Sequence, residues 1–340
     1  MGQVGRRRFL LLAAGAVGGG AAGLWGAHRD DDRGCPRVTR TTHALGTEVS
    51  LTVRHPQPEV AERAIAAAFG ELQLVQRLMS IYDSGSQLSR LNRDGRLESP
   101  HLHLVAVLRE AQRASAASEG AFDVTVQPLW EAFAAAQKQQ RLPTAVEVAA
   151  ARLLVDWRQV EVHDDRIRCL RPGVRITLNG IAQGYATDRV LAVLRAHGIE
   201  HALINAGELN SLGQSERGGA WRVGIQHPRR TDAYVALADL DGRALATSGD
   251  YNTKFSADGH YNHILDPCSG YSPTELASAS VVAPSATLAD ALSTALFVLG
   301  PDGGLALLAQ NPGADALLIT KDGETIATAG FPLRAEGNAA

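Results

Sequence analysis

Apolar residues recur every three or four positions along five stretches of the chain, the spacing that places them on one face of an α-helix. In the first stretch, Ile65, Phe69, Leu72 and Met79 fall on a single face. The expected helices span residues 58–82, 101–119, 143–153, 181–197 and 285–299.

Shorter apolar runs, some alternating with polar residues, predict β-strands between these helices. The expected strands span residues 43–54, 174–178, 201–205, 221–226, 235–239, 244–247, 316–320 and 325–328. Turns at Asp241-Gly242 and Asp322-Gly323 predict two hairpins among the last four strands. Because strands and helices mix without regular alternation, the pattern predicts an α+β fold with largely antiparallel sheets and packed helices.

The first 34 residues predict an export signal followed by a tether. Arg6, Arg7 and Arg8 precede an apolar run, rich in alanine and glycine, that continues to about Trp25. A membrane span needs roughly 20 apolar residues, so this run favours a twin-arginine export signal over a membrane anchor. We expect residues 1–34 to be signal and tether, read by the twin-arginine export machinery. Residues 35–335 would form the folded domain, working in the periplasm, either free or associated with the membrane.

Composition narrows the function classes. The chain has 340 residues, a formal charge of −3, 45% hydrophobic residues and 5% aromatic residues. These globular proportions exclude a disordered chain, and the absence of a basic excess argues against nucleic-acid binding. Cys35, Cys169 and Cys268 are too few and too widely spaced for a disulfide framework or a zinc site.

The expected helix at 285–299 carries a single charged residue, Asp290, among apolar and small residues. Such a helix is usually buried, and a buried carboxylate is costly unless it is paired or binds a metal. Thr294 lies four residues further on, so its hydroxyl points the same way as Asp290. The pair is typical of Mg²⁺ ligation by hard oxygens. The alternative is that Asp290 pairs with an arginine or caps a neighbouring loop.

Other polar groups gather beside glycines at the ends of expected elements. A glycine-rich turn before a helix can bind phosphate, although each of these turns alone is also compatible with an ordinary loop. Five such segments are Phe122 to Val126, Asn179 to Tyr185, Asn205 to Glu208, Thr247 to Tyr251 and His263 to Pro267.

Taken together and in order, these segments resemble the ApbE family, the FAD:protein FMN transferases. The resemblance covers about residues 43–320. It rests on Met79-Ser-Ile-Tyr-Asp83, Ser86 to Asn92, Phe122-Asp-Val-Thr125, Leu178-Asn-Gly-Ile-Ala-Gln-Gly-Tyr-Ala-Thr-Asp188, Trp221 to Gln226, Leu245 to Tyr251, His263-Ile-Leu-Asp-Pro267 and Ala289 to Gly300. The forms around Gln183 and Trp130 are similar to the NosX branch, which implies the membrane protein NosR as acceptor.

The resemblance implies an ApbE-like fold with FAD in a central cleft and Mg²⁺-dependent transfer of FMN to a threonine or serine hydroxyl, with release of AMP. The acceptor would be a flavoprotein with a segment like Ser/Thr-Gly-Ala-Thr. The implied FAD-binding residues are Met79, Tyr82, Asp123, Thr125, Gly180, Gln183, Asn205, Gly207, Gly249, His263, Leu265 and Asp266. The implied metal ligands are Asp290, Thr294 and the backbone carbonyls near Gly180 and Ser293.

Asp290 and His263 are the expected catalytic residues. His263 would orient the phosphate or take the acceptor proton, or else form a structural hydrogen bond. The family often has lysine at Gln183 and arginine at Cys268, so this chain lacks two cations that would lie near a diphosphate. A Mg²⁺-dependent FAD pyrophosphatase and a non-catalytic exported flavin-binding protein are the alternative functions.

Overall fold

The computed structural model describes residues 35–256 and 258–334, so the predicted export signal and tether at 1–34 lie outside the described residues. The strands are β1 Arg37–Ala44, β2 Thr47–Arg54, β3 Arg96–Glu98, β4 Val160–Val162, β5 Arg166–Cys169, β6 His201–Asn205, β7 Leu209–Leu212, β8 Trp221–His227, β9 Arg230–Leu240, β10 Ala244–Gly249, β11 Leu276–Ala283, β12 Asp315–Thr320 and β13 Thr325–Ala327. The helices are α1 Pro58–Met79, α2 Gln87–Asp94, α3 Leu102–Ala117, α4 Gln127–Lys138, α5 Ala145–Arg152, α6 Ala182–Ala196 and α7 Ala286–Ala309.

One eight-stranded sheet organises the fold. Its order is β1-β2-β6-β7-β10-β11-β12-β13, and a three-stranded sheet (β3-β5-β4) and a two-stranded ribbon (β8-β9) accompany it. Every strand pair in the described part of the chain is antiparallel. The predicted α+β class with antiparallel sheets is confirmed.

The two faces of the large sheet are covered differently. Helices α1, α6 and α7 contribute to the main hydrophobic core together with strands β2, β6 and β11. The β8-β9 ribbon places Trp221, Val223 and Ile225 in a second core with Leu245 and Leu317 of the large sheet. The large sheet is therefore a middle layer, and all eight residues of β11 are buried.

Helix α7 is among the most buried elements of the fold. The predicted helix at 285–299 is confirmed as its first part, and Gly300, at φ 72°, separates that part from the turns that follow Pro301. Among the described helices, α7 is the one long and apolar enough to cross a membrane, but 56% of its most apolar window is buried within the fold. Core packing accounts for its apolar character.

Two predicted strands and one hairpin differ in the structure. Residues 43–54 belong to a hairpin, because Leu45 (φ 52°) and Gly46 (φ 79°) form a two-residue turn that splits them between β1 and β2. Residues 174–178 are not a strand: the side-chain amide of Asn92 replaces a partner strand, bonding to both backbone groups of Ile176 at 2.7 Å. The hairpin expected at Asp241-Gly242 is wrong, because β9 pairs with β8 while β10 enters the large sheet.

Candidate functional site

Helices α6 and α7 meet at two glycines that allow unusually close contact. A Cβ atom at Gly184 would lie 2.7 Å from the Cβ of Asp290, and one at Gly180 would lie 2.9 Å from Oγ1 of Thr294. The backbone N–H of Gly184 donates to Oδ2 of Asp290 at 2.9 Å. The predicted alignment of Asp290 and Thr294 on one helical face is thus present, directed at the turn that begins α6.

The start of α7 is fixed by Asp188, one helical turn beyond Gly184. Its carboxylate accepts the N–H groups of Ala286 and Thr287 at 2.8 and 2.9 Å, and the Thr287 hydroxyl at 2.6 Å. These contacts satisfy backbone donors that a helix leaves free at its N-terminus. Asp188 therefore sets the position of α7, and with it that of Asp290.

A cleft with two chambers opens beside this helix contact. Residues that line the chamber on the α7 side (the helix-side chamber) include Asp123, Gly180, Gly249, His263, Leu265, Asp290 and Thr294. Residues that line the chamber beside the β8-β9 ribbon (the ribbon-side chamber) include Thr47, Asn205, Gly207, Gly224, Ile225 and Tyr251. Gln183, Glu208, Thr247 and Asn252 line both chambers and form the neck between them.

Hydroxyl groups surround Thr294 at the floor of the helix-side chamber. Ser248, at the end of β10, lies 3.2 Å from the Thr294 hydroxyl and 2.8 Å from the Ser293 hydroxyl. Ser293 is completely buried behind the cleft wall and also donates to the backbone carbonyl of Asp290 at 2.9 Å. These contacts hold the metal-ligand candidates of α7 against the large sheet.

Two buried carboxylates face the cleft near the neck. Burial raises the pKa of Asp290 to about 7, against the opposing effect of the Gly184 N–H. Burial, together with the charge of Asp290, also raises the pKa of Glu208 well above its ordinary value. Glu208 receives one hydrogen bond, from the backbone N–H of Thr247 at 3.2 Å. Within the described residues, neither carboxylate forms an ion pair, so the arginine partner considered for Asp290 is not seen.

The oxygens present suit a hard divalent cation shared with a substrate. Asp290, Thr294 and Ser248 all line the helix-side chamber, where the two hydroxyls lie 3.2 Å apart and Thr294 lies against Gly180. No group of three or more His, Cys, Asp or Glu side chains that could hold a metal occurs among the described residues. A cation here would need further oxygen ligands from a substrate or water, as a diphosphate provides.

His263 lines the helix-side chamber with one ring nitrogen unused. Its Nδ1 is buried and has no hydrogen-bond partner among the described residues. Burial lowers the pKa of His263, and a hydrogen bond to the backbone of Thr253 and the charge of Asp250 act in the opposite direction. A neutral imidazole with a free nitrogen is able to accept a proton.

Asp123 is a chamber wall residue held rigidly by its neighbours. Its Oδ1 accepts from the backbone N–H and the hydroxyl of Thr125, at 2.7 and 2.6 Å, and its Oδ2 accepts from the N–H of Trp157 at 3.0 Å. Burial raises the pKa of Asp123 despite these bonds. Thr125 itself is fully buried behind Asp123, so it positions that carboxylate and does not line the cleft.

The structure places three further predicted residues away from the cleft walls. Met79 is buried in the main core, and Tyr82 is 76% exposed beyond the end of α1. Asp266 accepts the N–H groups of Cys268 and Ser269 at 2.8 and 3.0 Å and thereby forms a turn. Their predicted contacts with a flavin remain predictions.

Sequence reasoning missed Glu208 as a site residue. The segment Asn205 to Glu208 was singled out for its glycine and amide, whereas its acid looked like an ordinary turn residue. The available signal was an acid three residues after a predicted strand, in a short turn that contains Gly207.

Comparison with known proteins places this arrangement among flavin transferases. A sequence model described as the ApbE family matches residues 45–318. The chain is 31% identical to an FAD:protein FMN transferase of Escherichia coli (strain K12) over 272 residues, covering 76% of this chain and 77% of that protein. It is 33% identical to an FAD:protein FMN transferase of Haemophilus influenzae over 267 residues, covering 74% and 77%.

Comparison with solved structures also finds similarity to ApbE proteins. The flavin transferase ApbE from Vibrio cholerae has a TM-score of 0.75 at 27% identity, covering 87% of this chain and 98% of that one. The ApbE protein from Thermotoga maritima has a TM-score of 0.77 at 29% identity, covering 86% and 97%. The match therefore extends over nearly the whole described fold.

Proposed function

The chain belongs to the ApbE family, and we propose that it is a Mg²⁺-dependent FAD:protein FMN transferase that attaches FMN to a threonine or serine hydroxyl of an acceptor protein. Relatives at about 30% identity that carry the transferase name cover most of the chain, which supports the reaction class. The observation that carries the proposal is the close contact of Gly180 and Gly184 with Thr294 and Asp290 beside an open cleft.

The two-chamber cleft suits the shape of FAD. FAD has an aromatic group at each end and a diphosphate between them, and the cleft has two chambers joined at a polar neck. A diphosphate at the neck would lie near Gln183, Asp290 and Thr294. Asp290, Thr294 and the carbonyls of Gly180 and Ser293 would hold Mg²⁺, which supplies neutralisation of the diphosphate charge when bound.

The reaction balances as a phosphoryl transfer. The acceptor hydroxyl oxygen forms a bond to the phosphorus of the FMN half, and the bond from that phosphorus to the bridging oxygen breaks, so AMP leaves. The hydroxyl proton passes to His263, whose buried and unpartnered Nδ1 faces no competing donor. A histidine with a lowered pKa is neutral at pH 7 and can accept that proton.

The two departures from the family pattern have different consequences. Gln183 lies at the neck, where its side chain packs against Gly207, so a missing lysine there removes positive charge from the site. Cys268 is exposed in the turn formed by Asp266 and does not line either chamber. We therefore expect Gln183, not Cys268, to alter the electrostatics of FAD binding.

A pyrophosphatase that releases FMN and AMP would use the same groups, with water in place of the acceptor hydroxyl. A non-catalytic flavin carrier has less support, because a carrier has no need of the buried carboxylate at Asp290.

We also propose that the protein is exported by the twin-arginine route and acts in the periplasm, with a NosR-like membrane protein as acceptor. The arginines at Arg6, Arg7 and Arg8 and the NosX-like segments are the support for this assignment.

The decisive experiment combines the purified protein with FAD, Mg²⁺ and an acceptor domain that contains a Ser-Gly-Ala-Thr segment. Flavin fluorescence on the denatured acceptor, with an equal amount of AMP, is the expected result. The same acceptor with alanine in place of its threonine is the matched control and should stay dark. Free FMN and AMP with a dark acceptor would instead support the pyrophosphatase, and unchanged FAD would support the carrier.

A further inference from the structure

Glu208 occupies a position that the proposed mechanism does not yet use. It is 7% exposed, yet it lines both chambers at the neck. A carboxylate removed from water in this way is costly unless something compensates its charge. Asp290 lines the same helix-side chamber, and its like charge adds to that cost.

The structure holds Glu208 firmly in this orientation. Its side chain accepts the N–H of Thr247, and its backbone carbonyl accepts the N–H of Ala206 at 3.0 Å and the Thr187 hydroxyl at 3.4 Å. Gln183 packs closely against Gly207, the preceding residue. The backbone of Glu208 is thus fixed by α6 and its own turn, and rotation of the side chain into solvent would break its hydrogen bond to β10.

No protein cation compensates this pair of acids. Across residues 35–256 and 258–334, neither Glu208 nor Asp290 forms an ion pair, although other buried acids do. Asp250, for example, is 3% exposed and is bound by both terminal nitrogens of Arg229. The side chain nearest the Glu208 turn, Gln183, is a neutral amide. Protonation relieves this pair when no cation is bound, whereas a cation from outside the chain would allow both acids to ionise.

We propose that Glu208 supplies a second carboxylate to the cation-binding site, so that Asp290 on α7 and Glu208 on the β6–β7 turn hold the divalent cation between them. This inference rests on the proposed use of Mg²⁺ by the transferase. Carboxylate oxygens are preferred ligands of Mg²⁺, and a cation shared by both acids offsets the cost of burying each. The turn at Gly207 would then couple the ribbon-side chamber to the metal.

The test measures Mg²⁺ binding without FAD, by calorimetric titration of the full mature protein. Glu208→Gln keeps the size of the side chain and removes its charge. Loss of a residue that supports a metal site typically lowers affinity about 10–100-fold, and we expect a loss in that range. Glu275→Gln is the matched control: Glu275 is exposed, lies outside both chambers and should leave the affinity unchanged.

A second readout separates binding from folding. In EDTA, Glu208→Gln should melt at or above the wild-type temperature, because the variant lacks a buried ionisable group. Added Mg²⁺ should raise the melting temperature of the wild-type protein more than that of the variant. Equal Mg²⁺ affinity in both proteins would overturn the role of Glu208 and leave the transferase proposal intact. Failure of the wild-type protein to bind Mg²⁺, both alone and with ADP to supply the diphosphate oxygens, would overturn both.

Discussion

Gly184 is the position where the site is least able to accept a side chain. A Cβ atom there would lie 2.2 Å from the carbonyl oxygen of Ala286 and 2.7 Å from the Cβ of Asp290. The first contact is with backbone and the second is with the rigid base of a side chain, so no rotamer change relieves either. Gly184→Ala must therefore separate helices α6 and α7 at the point where the Gly184 N–H binds Asp290.

In Gly184→Ala, the free-energy cost of overpacking should exceed the stabilisation that alanine brings to a helix. Alanine in place of a helical glycine stabilises by about 0.5–1 kcal/mol, whereas overpacking costs about 1–3 kcal/mol. Because both contacts of the new methyl group are below 3 Å, we take the upper cost and expect a net loss of about 2 kcal/mol. With an unfolding entropy of about 2.1 cal/mol/K per residue and roughly 300 folded residues, Tm falls by roughly 3 °C.

Scanning calorimetry of two glycine variants tests this reasoning. Gly70 lies within α1, is exposed, and has no atom within 4 Å of an added Cβ, so Gly70→Ala should raise the stability slightly. FMN transfer should be lost in Gly184→Ala, which displaces Asp290, and retained in Gly70→Ala. The tight α6–α7 contact would be refuted if Gly184→Ala melted as high as Gly70→Ala and remained active.

Four further predictions address the site, the fold and the N-terminus. Asp290→Ala should abolish FMN transfer while circular dichroism shows a retained fold; transfer at the wild-type rate with limiting Mg²⁺ would exclude Asp290 as a ligand. The folded pKa of Asp290, about 7, lies above its ordinary value of 3.8, so in EDTA its charge destabilises the fold increasingly between those pH values. Asp290→Asn should accordingly gain Tm relative to the wild-type protein as pH rises from 4 to 8, and a constant difference would contradict the burial argument. Asn92→Ala should lower the free energy of unfolding by about 2–4 kcal/mol in urea titrations, because it leaves both backbone groups of buried Ile176 unpaired; an unchanged free energy of unfolding would contradict that role of Asn92. The mass of the exported protein should lack roughly 30 N-terminal residues, and an intact Met1 would contradict the signal.

The spacing of apolar residues predicted the helices that carry those residues on one face. Helix α1, helix α6 and the first part of α7 were predicted because each carries an apolar stripe that enters the main core. Strand β11 was missed because it is buried on both faces and consists largely of small residues, so its sequence lacks alternation. The pairing of β9 with β8 rather than β10 depends on which layer each strand joins, and a turn sequence does not encode that choice.

Residues of the candidate site were predictable where the residue type is unusual for its place in the sequence. Asp290 and Thr294 were found because an acid in an apolar helix is unusual on its own. Glu208 could not be found in this way, because acids in turns are normally solvated, and only the tertiary fold places it at the neck. Met79 and Tyr82 illustrate the converse: their motif matches the family, while the fold places one in the core and the other outside the cleft walls.

The acidic side chains of this fold differ in how many hydrogen bonds and ion pairs they form. The difference indicates where the fold loses stability. Asp188 and Asp123 each accept three hydrogen bonds, and Asp250 is bound by Arg229. Asp290 and Glu208, which are about as buried as Asp123 and Asp250, each accept one. A fold that satisfies its other acids so completely has no packing reason to leave these two short of donors at the same neck. The divalent cation proposed above would compensate both acids, and the cleft is open there to receive it.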